Sequence, residues 1–334
     1  MNKPFIIILC LLAFTHCKKK QTTAPPKESD SWKRINQLQP TAEINDMCLS
    51  NTSTMWAVGS KNYAVKSTDG GASWQNVIVD AALPAYAGWL SIFFRTPQLG
   101  YIAGGQFMYK TTDGGATWKS IIKPGHKIDG IVCIYFITDS IGFVGCGAGK
   151  LYRTTDGGAT WQDQSTPTLY TFWSFTFFNE QYGWVGGGGT LLRTIDGGKN
   201  WITLHSSKDS AISPFFSQID GRNIAATSTT DLFYATNTCL VSTDGGTIWK
   251  STTTEMNGRW ILMRNKNEGF CVITQDNQIN GYSSMAHTLD GGTSWSKFNI
   301  STDTESFAKK IIRFKNMLYV YTSKNEIYQY SQAW

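Results

Sequence analysis

The sequence predicts an all-β fold, a seven-bladed β-propeller, and three observations carry the prediction. The first is a repeat. Segments 67–74, 111–118, 154–161, 194–201, 242–249 and 288–295 read STDGGASW, TTDGGATW, TTDGGATW, TIDGGKNW, STDGGTIW and TLDGGTSW, six copies of one pattern. The second is its period: Asp69, Asp113, Asp156, Asp196, Asp244 and Asp290 are spaced 44, 43, 40, 48 and 46 residues apart, the length of a four-stranded blade. The third is a match outside the copies. Ser31-Trp32-Lys33-Arg34-Ile35 resembles Thr117-Trp118-Lys119-Ser120-Ile121, so an N-terminal strand is available to complete the last blade and close the ring.

Residues 1–17 read as an export signal. Lys3 supplies the positive end and Phe5 to Phe14 the apolar run, which is too short to span a bilayer as a helix. Cys17 stands where that run stops and Lys18-Lys19-Lys20 begins. The arrangement resembles a bacterial lipoprotein signal, which makes Cys17 the lipidation site, although His16 stands where a small residue is usual. Residues 18–30 lack side chains that could build a core and read as a flexible tether. The propeller is expected over residues 31–334.

Each repeat reads strand, Gly-rich strand, strand, D-G-G turn, strand. In the second repeat the segments are Trp89 to Phe94, Tyr101 to Gly104, Phe107 to Thr111 and Trp118 to Ile122. Asp-Gly between β-prone runs is a turn signal, because Gly reaches φ > 0 without a Cβ clash. The aspartate ties the turn down through the amides that follow it, and the tryptophan packs the next strand. Each copy carries one carboxylate, far short of the oxygen ligands that calcium requires, so the six aspartates read as structural. Glycines in the second strand allow close approach of backbone near the axis. After the last copy, Lys310 to Phe314, Met317 to Tyr321 and Glu326 to Tyr330 supply three strands, to which Trp32 and its neighbours add the fourth. The alternative is six blades and a C-terminal hairpin.

Composition excludes several function classes. Charged residues make up 16% and aromatics 13%, with 32 glycines and 13 tryptophans, which suits a packed β structure. Net charge is +6, but five lysines and two acids lie within residues 1–30, leaving +3, too little to argue for nucleic acid. His16, His126, His205 and His287 are scattered singly and the cysteines make no C-x-x-C, so neither a metal nor another cofactor is expected. Cys48, Cys133, Cys146, Cys239 and Cys271 read as small buried hydrophobes, with a Cys133–Cys146 bridge left open.

The repeat resembles the Asp-box, or BNR, repeat found in sialidases, in sortilin-type receptors and in the photosystem II stability/assembly factor family. With an aromatic-V-G segment before the box, as in Phe143-Val144-Gly145 and Trp184-Val185-Gly186, the chain looks most like the assembly-factor group. The resemblance implies a propeller fold and does not by itself carry an activity. Sialidase chemistry would need three converging arginines and an F/Y-R-I-P motif before the first box. Here Phe94-Arg95-Thr96-Pro97 follows the first box, and Arg153 and Arg193 occupy equivalent repeat positions, which marks them as structural.

The expectation is therefore a non-catalytic binding or assembly scaffold, lipid-anchored in a bacterial cell envelope, with an envelope protein or a glycan as partner. A carbohydrate-binding propeller or a divergent sialidase-like hydrolase is the alternative. The D-G-G turns should share one face and the more variable connections the other. On that second face the expected ligand contacts are Trp89, Trp173, Arg259 and Trp260, with Tyr234 and Tyr282 at its edge. Tyr234 and Tyr282 are expected in enlarged turns between second and third strands, Ser228 to Asn237 and Thr274 to Ser284.

Overall fold

The computed structural model describes residues 31–38, 42–84, 86–122, 128–166, 169–187, 190–206, 224–235, 238–255, 258–273, 284–301, 303, 305–332 and 334. They form seven antiparallel four-stranded sheets. Blade one is β2 (Ile44–Leu49), β3 (Met55–Gly59), β4 (Ala64–Ser67) and β5 (Gln75–Asn76). Blade two is β6 (Ser91–Phe94), β7 (Gly100–Gly104), β8 (Phe107–Thr111) and β9 (Lys119–Ser120). Blade three is β10 (Ile131–Phe136), β11 (Gly142–Cys146), β12 (Leu151–Thr154) and β13 (Gln162–Asp163). Blade four is β14 (Ser174–Phe177), β15 (Gly183–Gly187), β16 (Thr190–Thr194) and β17 (Ile202–Ser206). Blade five is β18 (Ile224–Ala226), β19 (Leu232–Ala235), β20 (Thr238–Ser242) and β21 (Lys250–Glu255). Blade six is β22 (Gly258–Met263), β23 (Gly269–Ile273), β24 (Ser284–Thr288) and β25 (Ser296–Asn299). Blade seven is β26 (Ala308–Phe314), β27 (Met317–Thr322), β28 (Glu326–Tyr330) and, as its outer strand, β1 (Trp32–Gln37).

The ring closes as the sequence predicts. β1 pairs with β28 from Trp32 opposite Tyr330 to Gln37 opposite Glu326, and the innermost strand β26 packs against both β22 and β2. Trp32 takes the place that a box tryptophan holds in other blades, edge-on to Phe270 at 5.7 Å. Trp118 meets Trp56, and Trp201 meets Phe143, in the same way. The outer strands of blades one to three are only two residues long and exposed, shorter than expected; a short edge offers little for another chain to pair with.

The second strands of blades one to six are buried along their length and carry an aromatic at the second position, Trp56, Tyr101, Phe143, Trp184, Phe233 and Phe270, and β27 carries the buried Tyr319 at its third. These rings fill the layers between blades. Where β7 ends, a Cβ on Gly104 would run into the Gly88 carbonyl and come within 2.9 Å of the Leu90 nitrogen, so glycine lets the connection cross close to the strand.

Blade five corrects one expectation. Leu232–Ala235, placed in an enlarged turn by the sequence reading, is the second strand itself, with all four residues buried. Its four consecutive apolar residues follow a tight turn in which Thr227 donates its amide to the Asp231 carbonyl at 3.0 Å. Residues 274–283, the other enlarged connection, lie outside the described residues.

Candidate functional site at the channel mouth

Antiparallel pairing puts the start of each inner strand at the end of the blade opposite the D-G-G turns. The expected contacts divide there. Trp173, just before β14, and Trp260, in β22, both line a central cavity of about 220 Å³ and are half-buried. Trp89 and Tyr234 do not belong to the surface, because both are 0% exposed. Trp89 packs edge-on against Tyr109 at 5.7 Å in the layer between blades one and two. Tyr234 sits in the core beside Trp249, and burial pushes its phenol pKa up. The Arg259 side chain, Tyr282 and Cys17 lie outside the described residues.

The cavity has two unlike walls. On one side Phe93, Tyr135 and Phe175 come from the inner strands of blades two, three and four; Tyr135 lies 5.2 Å from Phe93 and 6.4 Å from Phe175. The other side is polar. Lys310 of blade seven forms an ion pair with Asp46 of blade one, donates to the Met47 carbonyl at 3.3 Å and lies 4.9 Å from the Trp260 ring centroid. Leu90 and Ser91 complete the rim between the walls. The sequence reading missed Asp46 and Lys310; Asp46 is the one charge in its inner strand, INDMCL, which was a signal, whereas Lys310 is one of three in AKKIIRF and does not stand out.

The same polar groups fasten neighbouring blades. Asp46 accepts the Ile92 amide at 2.9 Å, Ser91 Oγ accepts the Ile134 amide at 3.3 Å, and the Cys133 thiol donates to the Phe172 carbonyl at 3.4 Å. Thus the mouth is a rigid frame whose polar atoms are fixed before any ligand arrives.

The opposite face carries the boxes, and in all six the aspartate accepts from the hydroxyl two residues before it and from the amide four residues after it, the fifth having Ile248 where the others add a side-chain donor. In the third, Asp156 accepts from the Thr154 hydroxyl at 2.8 Å, and from both the amide and the hydroxyl of Thr160. The Gly158 amide donates to the Thr154 hydroxyl at 2.9 Å. Gly158 has φ 92°, so glycine is needed there. Hydrogen bonds, led by that of the Thr160 hydroxyl, hold the Asp156 carboxyl down at about 2. The Ser73 hydroxyl leads the set that does the same for Asp69, also at about 2. Each carboxylate is occupied by its own turn, which supports the structural reading. Among the described residues, no group of three or more His, Cys, Asp or Glu could hold a metal ion.

A model of the family described as photosynthesis system II assembly factor YCF48 matches residues 24–131 and 126–275. The chain belongs to this family. Two solved members share its fold: a structure described as YCF48 bound to D1 peptide, at 20% identity and TM-score 0.68 over 90% of this chain and 97% of that one, and YCF48 from Cyanidioschyzon merolae, at 14% identity and TM-score 0.69 over 90% and 98%. Virginiamycin B lyase from Staphylococcus aureus, at 11% identity and TM-score 0.67 over 89% and 98%, has the same fold, so propellers of this shape include enzymes. No curated protein matches the chain.

Within this YCF48-family chain the described arginines are spread through the fold. Arg153 and Arg193 each reach the next blade's box, donating to the Gly197 and Gly245 carbonyls at 3.2 and 3.3 Å, as Lys66 and Lys110 do to Gly114 and Gly157 at 2.8 and 2.9 Å. Arg95 sits in the turn after β6, 3.9 Å from Asp139 in the equivalent turn of blade three. None of the five cysteines of the propeller is in a disulfide, so Cys133 and Cys146 form no bridge. Burial pushes the Cys146 and Cys239 thiols up to about 12, which keeps them protonated and inert at neutral pH.

Proposed function

We propose that this protein is a non-catalytic scaffold of the bacterial cell envelope, lipid-anchored through Cys17, that binds a partner protein at the channel mouth. The observation that carries this reading is that Trp173 and Trp260 both line a preformed cavity, on the face where the variable connections enter the blades. Aromatic anchors around a rigid pocket are the usual centre of a protein interface. The family relative described with a bound D1 peptide supports a polypeptide partner. The photosystem role stays with that relative, since nothing in this sequence is specific to pigments. A pull-down from envelope membranes, repeated with Trp173→Ala and Trp260→Ala, tests the reading. A true anchor should lose ~2 kcal/mol or more of binding while the melting temperature holds. Unchanged capture by both variants, or turnover of a fluorogenic sialoside by the native protein, would overturn it.

A further inference from the structure

We propose that the channel mouth receives a tyrosine side chain of the partner, its ring against Phe93, Tyr135 and Phe175 and its hydroxyl between Lys310 and Asp46. The inference rests on the protein-binding reading above and names the residue that the site selects.

Size is the first argument. At about 220 Å³ the cavity is smaller than the roughly 300–1,000 Å³ of sites that engulf a small molecule. It holds one large side chain carried in on a longer ligand. The second argument is the aromatic wall. Three rings from three blades, with Trp173 at the rim, favour a flat apolar group that can stack or meet them edge-on.

The opposite wall then decides among aromatic residues. Lys310 and Asp46 present a donor and an acceptor side by side. The ammonium has three N–H groups, of which oxygen atoms of described residues take two, at Asp46 and at the Met47 carbonyl, while the Trp260 ring lies 4.9 Å away. Asp46 Oδ2 accepts only the Ile92 amide among the described residues, and a carboxylate oxygen has room for a second donor. A hydroxyl that accepts from Lys310 and donates to Asp46 satisfies both. A carboxylate entering here would meet Asp46, and an ammonium or guanidinium would meet Lys310. A phenylalanine ring would strip water from the pair and return no hydrogen bond. Tyrosine alone combines the ring with the hydroxyl at its far end.

The experiment is selection of a randomised peptide library on the immobilised full-length protein, followed by titration of the recovered peptides. Tyrosine should dominate one position. Changing it to phenylalanine should weaken binding about tenfold, the effect of losing a hydrogen bond to a charged pair. Trp173→Ala should weaken the tyrosine and phenylalanine peptides alike. Lys310→Arg should keep the preference, and Lys310→Met, where it folds, should abolish the difference between the two peptides. Peptides that depend on Trp173 but carry no tyrosine, or an equal affinity for the phenylalanine form, would overturn this inference and leave the protein-binding reading standing. Recovery of no peptide sensitive to Trp173 or Trp260 would overturn both.

Discussion

The aspartate of each box is best understood through its donors. Asp156 gathers an amide and two hydroxyls from residues two to four positions away, all of which favour the ionised carboxyl. This is turn chemistry, and it makes a prediction about acid. A carboxyl whose folded pKa lies below its unfolded value of ~4 contributes stability that is complete above that value. The contribution is lost as pH falls through the folded value, which is about 2 for Asp69 and Asp156. Because six boxes repeat the arrangement, the melting temperature should stay level from neutral pH to ~4 and drop steeply from there towards 2. Asp156→Ala should cost ~1–2 kcal/mol at neutral pH through the lost turn hydrogen bonds, and should leave binding by the folded fraction unchanged. Denaturant melts across pH, with peptide binding measured on the same variant, check both. Normal stability with lost binding would give these carboxylates a functional role.

At the scale of strands, closure of blade seven concentrates its fastenings in the N-terminal strand. Trp32 is 5% exposed between Phe270 and Tyr330. Two residues on, Arg34 reaches the buried Glu326 carboxylate at 3.1 Å, and Ser306 donates to the same carboxylate at 2.7 Å. Removing the strand therefore exposes an apolar layer and leaves a buried charge with fewer partners, which is strongly destabilising. Deleting residues 18–29 should leave the melting temperature nearly unchanged. Deletion through Ile35 should lower it sharply, with the loss of the tryptophan alone comparable to the ~3–5 kcal/mol of an aromatic truncation. Equal melting temperatures for the two truncations would show that β1 does not carry closure. This strand was legible because Trp32 repeats the tryptophan that ends each box. The second strand of blade five was not, because Leu232–Ala235 lacks the glycine that marks its counterparts in blades two, three, four and six.

Over the whole molecule, periodicity made the fold readable and left the site half-read. Repeated residues announce themselves by position, and Arg153 and Arg193 could be recognised as structural from spacing alone. A binding site is made of what departs from the repeat, and aromatic residues depart in two ways. Trp173 and Trp260 reach the channel, whereas Trp89 and Tyr234 fill gaps between blades, and only the packing separates them. The faces also differ in what leaves them. Ser31 accepts the Ser331 amide at 2.7 Å beside the last residue of β28, the strand end that carries the boxes in other blades. The chain towards Cys17 thus departs from the box face. The 13 residues from 18 to 30 span at most ~45 Å when fully extended. If Cys17 is the lipid anchor, the protein should hold its boxes towards the bilayer and its channel mouth away from it. In isolated membranes, a bulky maleimide should therefore label Leu169→Cys, on the far face, faster than Thr155→Cys, beside a box. Cys17→Ala should move the protein to the soluble fraction and remove the lipid mass. Equal labelling at the two positions would refute the orientation, and a membrane-bound Cys17→Ala protein of unchanged lipid mass would refute the anchor.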